Sequence, residues 1–166
     1  MSDAIELRQV SKRFHETRAV RDLDLSIPYG SMCGFLGPNG AGKSTTIRII
    51  MSIIHADSGS VSVLGTSALA AKDRIGYLPE ERGVYRKMKV VSFIEYIAKL
   101  KGVRGPSLRK KIHDWLERID LPDIQHKKCE ELSKGMQQKV QFLAAIIHDP
   151  ELIILDEPFT EIGRAH

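Results

Sequence analysis

The sequence predicts an α/β protein with a parallel sheet, a small antiparallel β subdomain and an inserted α-helical lobe. A glycine-rich segment stands between a short apolar run and a helical pattern, as in the strand, loop and helix of a parallel core. Segments of partly alternating apolar and polar residues flank it, which is typical of half-buried strands. Two amphipathic helical patterns follow residue 90, ahead of a second apolar run.

Residues 37–44 read Gly-Pro-Asn-Gly-Ala-Gly-Lys-Ser, which matches the phosphate-binding pattern G-x-x-x-x-G-K-[ST]. The glycines allow a backbone nest whose N–H groups point at an anion, and the helix that follows adds the positive end of its dipole. Lys43 is expected to reach the β- and γ-phosphates, and the Ser44 hydroxyl to bind Mg²⁺. The predicted triphosphate-binding residues of this segment are Gly37, Pro38, Asn39, Gly40, Ala41, Gly42, Lys43, Ser44 and Thr45.

The context of this loop distinguishes the match from a chance glycine-rich turn. Residues 31–36 form a short apolar run that predicts a buried strand, with Cys33 as a small core residue. Residues 46–54 predict a helix seated under that strand. Strand, loop and helix in this order favour a P-loop NTPase core.

Three short segments predict an antiparallel sheet beside this core, at residues 5–10, 20–27 and 61–64. The turn at residues 57–60 opens the third of them. Phe14 is expected to be exposed in a loop between the first two strands. It would either stack on a purine or pack the turn, and its spacing favours neither.

Residues 74–81 predict a strand that runs into a loop and is stopped by Pro79. The pattern then becomes helical: residues 92–95, Ser-Phe-Ile-Glu, predict a capping box for a helix that stops at Gly102. A second helix, ended by Pro122, has an apolar face made by Leu108, Ile112, Trp115, Leu116 and Ile119. Trp115 is expected in the core of this lobe.

The start of the next helix predicts either an ordinary helix cap or a second anion site. Ser133 is a good N-cap residue, and with the first N–H groups of the helix it would bind an anion. One face of this helix is made by Met136, Val140, Leu143, Ala144 and Ile147. The inserted helical lobe is predicted from residue 90 to about 130, or to about 147 when this helix is included.

Residues 152–155 are purely apolar and predict a parallel strand that is buried on both faces. Asp156 and Glu157 follow at the C-terminal end of the strand, where open α/β sheets bind ligands. Asp156 is expected to hold Mg²⁺, directly or through water, and Glu157 to polarise the attacking water. Two adjacent acids at a strand end are by themselves weak evidence for a magnesium and water site. Their occurrence together with the phosphate-binding loop makes that evidence strong.

Composition narrows the class of protein. The 166 residues and the 42% hydrophobic fraction fit one domain, and no apolar run approaches the ~18 residues of a membrane span. Cys33 and Cys129 form neither a disulfide framework nor a metal-binding pattern, and these features fit the cytosol. The net charge of +4 includes three groups of basic residues, near residues 86–89, 99–104 and 109–111. A solvated face is favoured for them over a lipid-facing one, and nucleic acid is not expected.

Together these motifs resemble the nucleotide-binding domain of ATP-binding cassette (ABC) transporters, over residues 4–160. In this likeness residues 37–45 are the Walker A loop. Residues 132–136 are the signature motif, and residues 152–157 are Walker B with its catalytic glutamate. The predicted domain is therefore an ABC ATP-binding domain at residues 1–160.

The resemblance also implies roles for individual side chains. Phe14 looks like the adenine-stacking aromatic, with Val20 near the base. Glu80 stands where the family usually has the glutamine of the Q-loop, close to Mg²⁺. The implied catalytic residues are Lys43, Glu80 and Glu157, and the implied metal ligands are Ser44, Glu80 and Asp156.

The signature motif departs from the usual Leu-Ser-Gly-Gly-Gln. Lys134 and Met136 replace the first glycine and the glutamine, whereas Ser133 and Gly135 remain. In the family, two domains pair head to tail, and each ATP lies between Walker A of one and the signature of the other. The resemblance therefore implies that residues 133–136 contact the ATP of a second ABC domain.

The resemblance also implies partners and a location. Closure of the pair over Mg²⁺ and ATP would drive a separate transmembrane permease, so the chain would be peripheral on the cytoplasmic face of the membrane. A permease helix would dock near residues 80–92. Residues 77–85 resemble bacterial export-type cassettes of the drug or sodium efflux kind.

Two other interpretations use the same motifs: a soluble ABC ATPase that acts on ribosomes or DNA, and a nucleotide-binding fragment without turnover. The soluble class would carry two cassettes or a long coiled coil. After Thr160 the family continues Gly-Leu-Asp, whereas this sequence reads Glu-Ile-Gly-Arg-Ala-His. Residues 161–166 are therefore expected to be a non-native tail, and the chain alone is expected to be inactive as an ATPase.

Overall fold

The computed structural model describes residues 3–80 and 83–156, which belong to two compact units that divide between Lys72 and Asp73. Unit 1 is built on a three-stranded antiparallel sheet with the strand order β2-β1-β3. Its elements are β1 (Asp3–Phe14), β2 (Thr17–Pro28), α1 (Lys43–Ile50), β3 (Ser58–Val63) and α2 (Ala68–Ala71). The structure thus confirms the predicted antiparallel subdomain.

Buried apolar side chains of β1 build the core of unit 1. Ile5, Leu7 and Val10 are almost completely buried, and Leu7 lies opposite Leu25 of β2 and Val61 of β3. Apolar residues on one face of a sheet remove their surface from water, which stabilises the pairing register. The strand β3 begins earlier than predicted and includes most of the residues assigned to its opening turn.

Two local predictions in unit 1 are wrong. Phe14 is not in a loop: it is the last residue of β1 and pairs with Thr17 across a two-residue turn. Its exposure, 44%, is as expected. The helix α1 ends at Ile50 rather than at residue 54, because Ser52 adopts a positive φ of 53° that a helix cannot accommodate.

The largest difference concerns residues 31–36, which are not a strand. Met32 is 100% exposed and Leu36 96%, and Cys33 is exposed rather than a core residue. A parallel strand is held by backbone hydrogen bonds to neighbouring strands. Among the described residues no strand pairs with this segment, so its apolar side chains remain in solvent.

Unit 2 combines a parallel pair of strands with three helices. Its main elements are β4 (Ile75–Leu78), α3 (Val90–Leu100), α4 (Ser107–Arg118), α5 (Lys134–Ile146) and β5 (Leu152–Leu155). The pairing of β4 with β5 is parallel and in register from Ile75–Leu152 to Leu78–Leu155, as expected for the core of an α/β fold. No helix within the described ranges has the length and apolar character of a membrane span.

The strand β5 is not buried on both faces as predicted. Ile154 is 8% exposed, whereas Ile153 and Leu155 are 46% and 37% exposed. Ile153 and Leu155 lie on the face opposite Ile154, so that face lacks a covering layer among the described residues. On the covered side the packing is close, since a Cβ atom at Gly76 of β4 would collide with the carbonyl oxygen of Ala145 in α5.

The helices α3, α4 and α5 share one hydrophobic core in which Ile94, Ile112, Leu116 and Leu143 are almost fully buried. Of these four, Ile112, Leu116 and Leu143 are positions that the helical pattern assigned to an apolar face. Trp115 packs against the same cluster but is only partly buried, and the Arg118 guanidinium lies 5.2 Å from its ring centroid. Burial of these side chains accounts for the stability of helices that are too short to persist alone.

The predicted capping box at residues 92–95 is wrong, because α3 already begins at Val90. Its first N–H groups are bound by another segment of the chain: Val90 N–H donates to Lys127 O at 3.0 Å, and Val91 N–H to Gln125 O at 3.2 Å. The helix therefore needs no side-chain cap. Its predicted end is confirmed, with Gly102 just beyond the last turn at φ 83°.

Candidate functional site

The Walker A loop (residues 37–45) leads directly into α1, whose N-cap residue is Gly42. Gly40 and Gly42 have φ of 83° and 86°, a left-handed conformation that costs other residues free energy. A Cβ atom at Gly42 would also collide with the carbonyl oxygen of Ala19 in β2. The loop thus depends on glycine for its backbone path and for its contact with the sheet of unit 1.

The side chain of Lys43 folds back over this loop. Its Nζ donates to Gly37 O at 2.6 Å and to Pro38 O at 2.9 Å. One ammonium group thereby fixes the opening of the loop, while Ala41 N–H closes a turn on Pro38 O at 3.2 Å. The loop is exposed from Gly37 to Ala41. A cation, left-handed glycines and a helix N-terminus in one exposed loop suit a polyphosphate anion.

Phe14 and Val20 occupy different environments in unit 1. The ring of Phe14 carries the Lys12 ammonium 5.5 Å from its centroid, and the same ammonium lies 2.7 Å from Asp57 Oδ1. The hydrogen bonds from Lys12 and from the Arg13 N–H hold the pKa of Asp57 below its ordinary value. Val20 is 8% exposed and lies beside Gly42, beneath the end of the loop.

In unit 2 the C-terminal ends of β4 and β5 meet at one edge, because the two strands are parallel and Leu78 pairs with Leu155. Glu80 and Asp156 follow these strand ends. Asp156 is 4% exposed, and its N–H donates to Leu78 O at 2.9 Å, whereas Glu80 is exposed. Glu157 lies outside the described residues. Within those residues no group of three His, Cys, Asp or Glu side chains is arranged to hold a metal ion.

The signature turn (residues 132–136) starts α5. The hydroxyl of Ser133 accepts a hydrogen bond from Met136 N–H at 3.3 Å, which confirms the predicted N-cap. Gly135 lies in the first helical turn, and a Cβ atom there would meet no described atom within 4 Å. Met136 packs against the helical core, while Lys134 is exposed.

Sequence reasoning missed the residue that holds this turn together. Gln137 Nε2 donates to Leu132 O at 3.0 Å and to Cys129 O at 3.1 Å, so one amide group spans the turn from the start of α5. Glu131 supports the same region by accepting a hydrogen bond from Lys128 N–H at 2.5 Å. A polar side chain one turn into a helix is the signal that could have suggested such a role.

The family model for ABC transporters matches residues 20–160 of the chain. The chain belongs to the ABC transporter family. The match includes the Walker A loop, the signature turn and the described part of Walker B, and it confirms the resemblance seen in the sequence.

Relatives from both bacteria and archaea are similar to almost the whole chain. The uncharacterized ABC transporter ATP-binding protein YhaQ of Bacillus subtilis is 48% identical over 157 residues, which are 94% of this chain and 53% of the relative. The uncharacterized ABC transporter ATP-binding protein MJ1023 of Methanocaldococcus jannaschii is 40% identical over 96% of this chain and 58% of its own length. The chain thus spans little more than half the length of these relatives.

Solved structures of ABC ATP-binding subunits have the same fold. A putative ABC transporter ATP-binding protein from Pyrococcus furiosus superposes with a TM-score of 0.83 at 30% identity, covering 96% of this chain and 78% of that one. Another ATP-binding subunit gives a TM-score of 0.86 at 26% identity, with 95% and 67% covered. They confirm the predicted α/β fold with its P-loop core, antiparallel subdomain and helical lobe.

Proposed function

We propose that the chain is the ATP-binding and ATP-hydrolysing part of a subunit that powers an ABC transporter. The observation that carries this proposal is the Walker A loop, in which left-handed glycines and the folded-back Lys43 form an exposed anion site at the start of α1. Such a loop is suited to the phosphates of ATP, because it combines an ammonium group with the N-terminal N–H groups of a helix. Family membership supports the same activity.

Individual roles follow within unit 1. Lys43 exchanges its hydrogen bonds with Gly37 and Pro38 for bonds to the β- and γ-phosphates, and the Ser44 hydroxyl serves as a magnesium ligand. Phe14 supports the base, with a ring that is 44% exposed. Bound Mg²⁺ supplies charge neutralisation at the phosphate oxygens.

The carboxylates of unit 2 have the proposed hydrolytic roles. Asp156 is a magnesium ligand, as its buried position at the end of β5 supports. Glu80, which is exposed at the same strand edge, contributes a second charge near the metal. Glu157 orients the attacking water and accepts its proton. We also expect the 166-residue chain to be inactive on its own, which a turnover assay tests. The predicted domain boundaries are tested by truncation.

The signature turn is proposed to serve the ATP of a second ABC domain in a head-to-tail pair. Gly135 supports this role, because a glycine in a helical turn costs roughly 0.5–1 kcal/mol relative to alanine and no described neighbour requires its lack of a Cβ atom. The proposed partners are a second ABC domain and a transmembrane permease, with the chain peripheral on the cytoplasmic face of the membrane.

Export is the proposed direction of transport. The daunorubicin resistance ATP-binding protein DrrA3 of Streptomyces coeruleorubidus is 32% identical over 98% of this chain and 54% of its own length. The sulfate/thiosulfate import ATP-binding protein CysA of Burkholderia mallei, at 33% over 93% of this chain and 46% of its own length, is an importer subunit of comparable identity. The likeness of residues 77–85 to export-type cassettes is what favours export.

Nucleotide binding tests the proposal most directly. Lys43→Ala removes the loop's ammonium, whose charge-assisted contact to phosphate is worth about 1.5–3 kcal/mol, so affinity for fluorescent Mg·ATP should fall about tenfold to a hundredfold. Arg48→Ala is the matched control, since it removes one positive charge from the exposed side of the same helix. Equal affinities of Lys43→Ala and Arg48→Ala would contradict the assignment of the loop.

A further inference from the structure

Two segments of unit 2, residues 86–91 and 125–130, run antiparallel beside the start of α3. We call them the basic ribbon. Lys89 and Lys128 are directly paired in it. Four backbone hydrogen bonds of 2.9–3.2 Å hold it, from Glu130 to Arg86, Cys129 to Met88, Val90 to Lys127 and Val91 to Gln125, each from N–H to O. The ribbon therefore has a backbone geometry that does not depend on its basic side chains.

The two faces of the basic ribbon differ sharply. Val90 and Cys129 point into the helical core and are fully buried, and Met88 packs against the same core. The residues next to them in the chain, Lys87, Lys89 and Lys128, are exposed to solvent. The exposed cations of the ribbon are Arg86, Lys87, Lys89, Lys127 and Lys128.

None of these five cations has an ion pair within the described part of the chain. The basic residues of α4 behave differently: Arg109 pairs with Glu95 at 2.6 Å and Lys110 with Asp114 at 2.7 Å. The group at residues 109–111 is thus neutralised by neighbouring carboxylates, whereas the ribbon is not.

The charge balance of the ribbon is strongly positive. Its two segments contain five Lys or Arg residues and one acid, Glu130, which gives a formal net charge of 5 − 1 = +4 with His126 neutral. Two more acids flank it. The carboxylate of Glu131 is engaged by Lys128 N–H, and Asp123 precedes the second segment.

Exposed tyrosines lie next to these cations. Tyr85 immediately precedes Arg86 and is 52% exposed, and Tyr96 of α3 is 40% exposed. Their rings meet edge to face with centroids 5.5 Å apart. Tyrosine has an apolar ring and a polar hydroxyl, and it is enriched where protein meets the headgroup region of a bilayer.

We propose that the basic ribbon binds the anionic headgroups of membrane lipids. The proposal rests on the proposed function, because a transporter subunit works beside a membrane surface. It assigns the exposed cations of residues 86–91 to lipid, whereas the sequence favoured a solvated face for them and placed a permease helix near residues 80–92. A cluster of four to eight Lys or Arg residues near such a surface is attracted to anionic lipid, and the effect of each residue adds to the others. Nucleic acid is disfavoured as a partner, because the two tyrosine rings contact each other edge to face and do not alternate with the cations as base-stacking residues do.

The test is flotation of the full chain with vesicles. Equal parts of phosphatidylglycerol and phosphatidylcholine are compared with phosphatidylcholine alone, at low and high salt. The test variant Lys87→Gln/Lys89→Gln/Lys128→Gln removes three ribbon charges. The control Lys99→Gln/Arg109→Gln/Lys110→Gln removes three charges that are paired in the structure. Both variants keep the ribbon backbone, which circular dichroism and thermal melting verify.

The chain should bind the anionic vesicles at low salt and dissociate at high salt. The ribbon variant should lose about a hundredfold in partition coefficient, and the control less than tenfold. Equal losses would show that only net charge matters and would overturn the proposal, as would equal binding to phosphatidylcholine alone. Binding of polyglutamate or single-stranded DNA as tight as binding to vesicles would also overturn it, in favour of a general polyanion surface.

Nucleotide affinity, measured on the same samples, separates this proposal from the proposed function. A chain that binds Mg·ATP but not anionic vesicles contradicts the lipid surface alone. A chain that binds the vesicles through the ribbon but binds no nucleotide contradicts the ATPase assignment and leaves the lipid surface intact.

Discussion

The Walker A loop and the signature turn both begin a helix, yet they are stabilised in opposite ways. At the start of α1, Gly42 offers no side-chain cap, and the path of the loop depends on left-handed glycines and on Lys43. At the start of α5, Ser133 caps the helix and Gln137 spans the turn with two hydrogen bonds to backbone carbonyls.

The two regions therefore offer a ligand different things. The Walker A loop is held by the Lys43 ammonium, which can turn to a bound anion, so ligand binding replaces its bonds to neutral carbonyls by bonds to a charged acceptor. The signature turn is held by Ser133 and Gln137, whose hydrogen bonds are already made within the chain, so it offers a preformed surface. A loop that changes partners suits the first encounter with a nucleotide, and a fixed turn suits a second contact made later.

Among the substitutions that test this comparison, Gly42→Ala should have the largest effect on stability and nucleotide binding. It forces a Cβ atom onto the carbonyl oxygen of Ala19 at a φ of 86°, so we expect a loss of about 2 kcal/mol or more in stability and no measurable Mg·ATP binding. Calorimetry and fluorescent ATP titration measure the two effects. Gly40→Ala is the control, because its φ of 83° carries strain but a Cβ atom there meets nothing within 4 Å of the described chain. Wild-type nucleotide affinity in Gly42→Ala would contradict the description of the loop.

Gln137→Leu should have the next largest effect, on the free energy of unfolding. It keeps the size of the side chain but leaves the carbonyls of Leu132 and Cys129 without their amide donor, at a cost of about 1–3 kcal/mol in the free energy of unfolding. Urea denaturation measures this cost. Gln137→Glu has the same shape and replaces the donor by an acceptor, so it should destabilise at least as much. If both variants unfold at the wild-type urea concentration, Gln137 does not hold the turn.

Ser133→Ala should have a smaller effect. Loss of the hydroxyl that accepts from Met136 N–H should destabilise α5 by about 1 kcal/mol, and Ser133→Thr should retain most of the stability. Hydrogen exchange at the Met136 amide is the local measurement, and it should accelerate only in the alanine variant. An unchanged exchange rate would show that the cap is not formed in solution.

The smallest expected effect is a difference between the two units in how their stability depends on pH. Burial, reinforced by the charge of Lys101, holds the pKa of His148 in unit 2 below its ordinary 6.5. The unfolded chain then binds a proton that the folded chain resists, so stability falls as pH drops below about 6.5. In unit 1 the lowered pKa of Asp57 gives stability that is present above its ordinary 3.8 and is lost only as pH falls through the folded value.

Trp115, the one tryptophan of the chain, reports unfolding of unit 2. Its fluorescence should show a lower urea midpoint at pH 5.5 than at pH 7.5 in the wild type. The reason is that the lowered pKa of His148 lets the unfolded chain bind about one proton more than the folded chain at the lower pH. His148→Gln removes the titrating group and should flatten this dependence. A pH dependence that survives the substitution would assign it to other groups.

The helical parts of the fold could be predicted from the sequence because their signals are local. The apolar spacing around Ile112 and Leu116 determines which face of α4 is buried, and Ser133 caps the residues that immediately follow it. Residues 31–36 show the opposite case. Their apolar character favours a strand, but a strand forms only against neighbouring strands, and none pairs with them among the described residues.

The site shows the same limit. The glycine spacing predicted the path of the Walker A loop, because positive φ at Gly40 and Gly42 follows from residue type. The internal bonds of Lys43 and the bridging amide of Gln137 could not be predicted, since each depends on where distant carbonyls are placed by the fold. The start of α3 was misplaced for this reason, because carbonyls of Gln125 and Lys127 satisfy its first N–H groups.

The contrast between the two cysteines has a practical consequence for labelling. Cys33 is exposed four residues before Gly37, whereas Cys129 is fully buried in the helical core, and burial raises the pKa of its thiol. Because the thiolate is the reactive form, a maleimide reagent should modify Cys33 first under native conditions. A fluorophore can therefore be attached beside the Walker A loop of the wild-type chain, without mutation. Slow modification of Cys129 then measures how often the helical core opens.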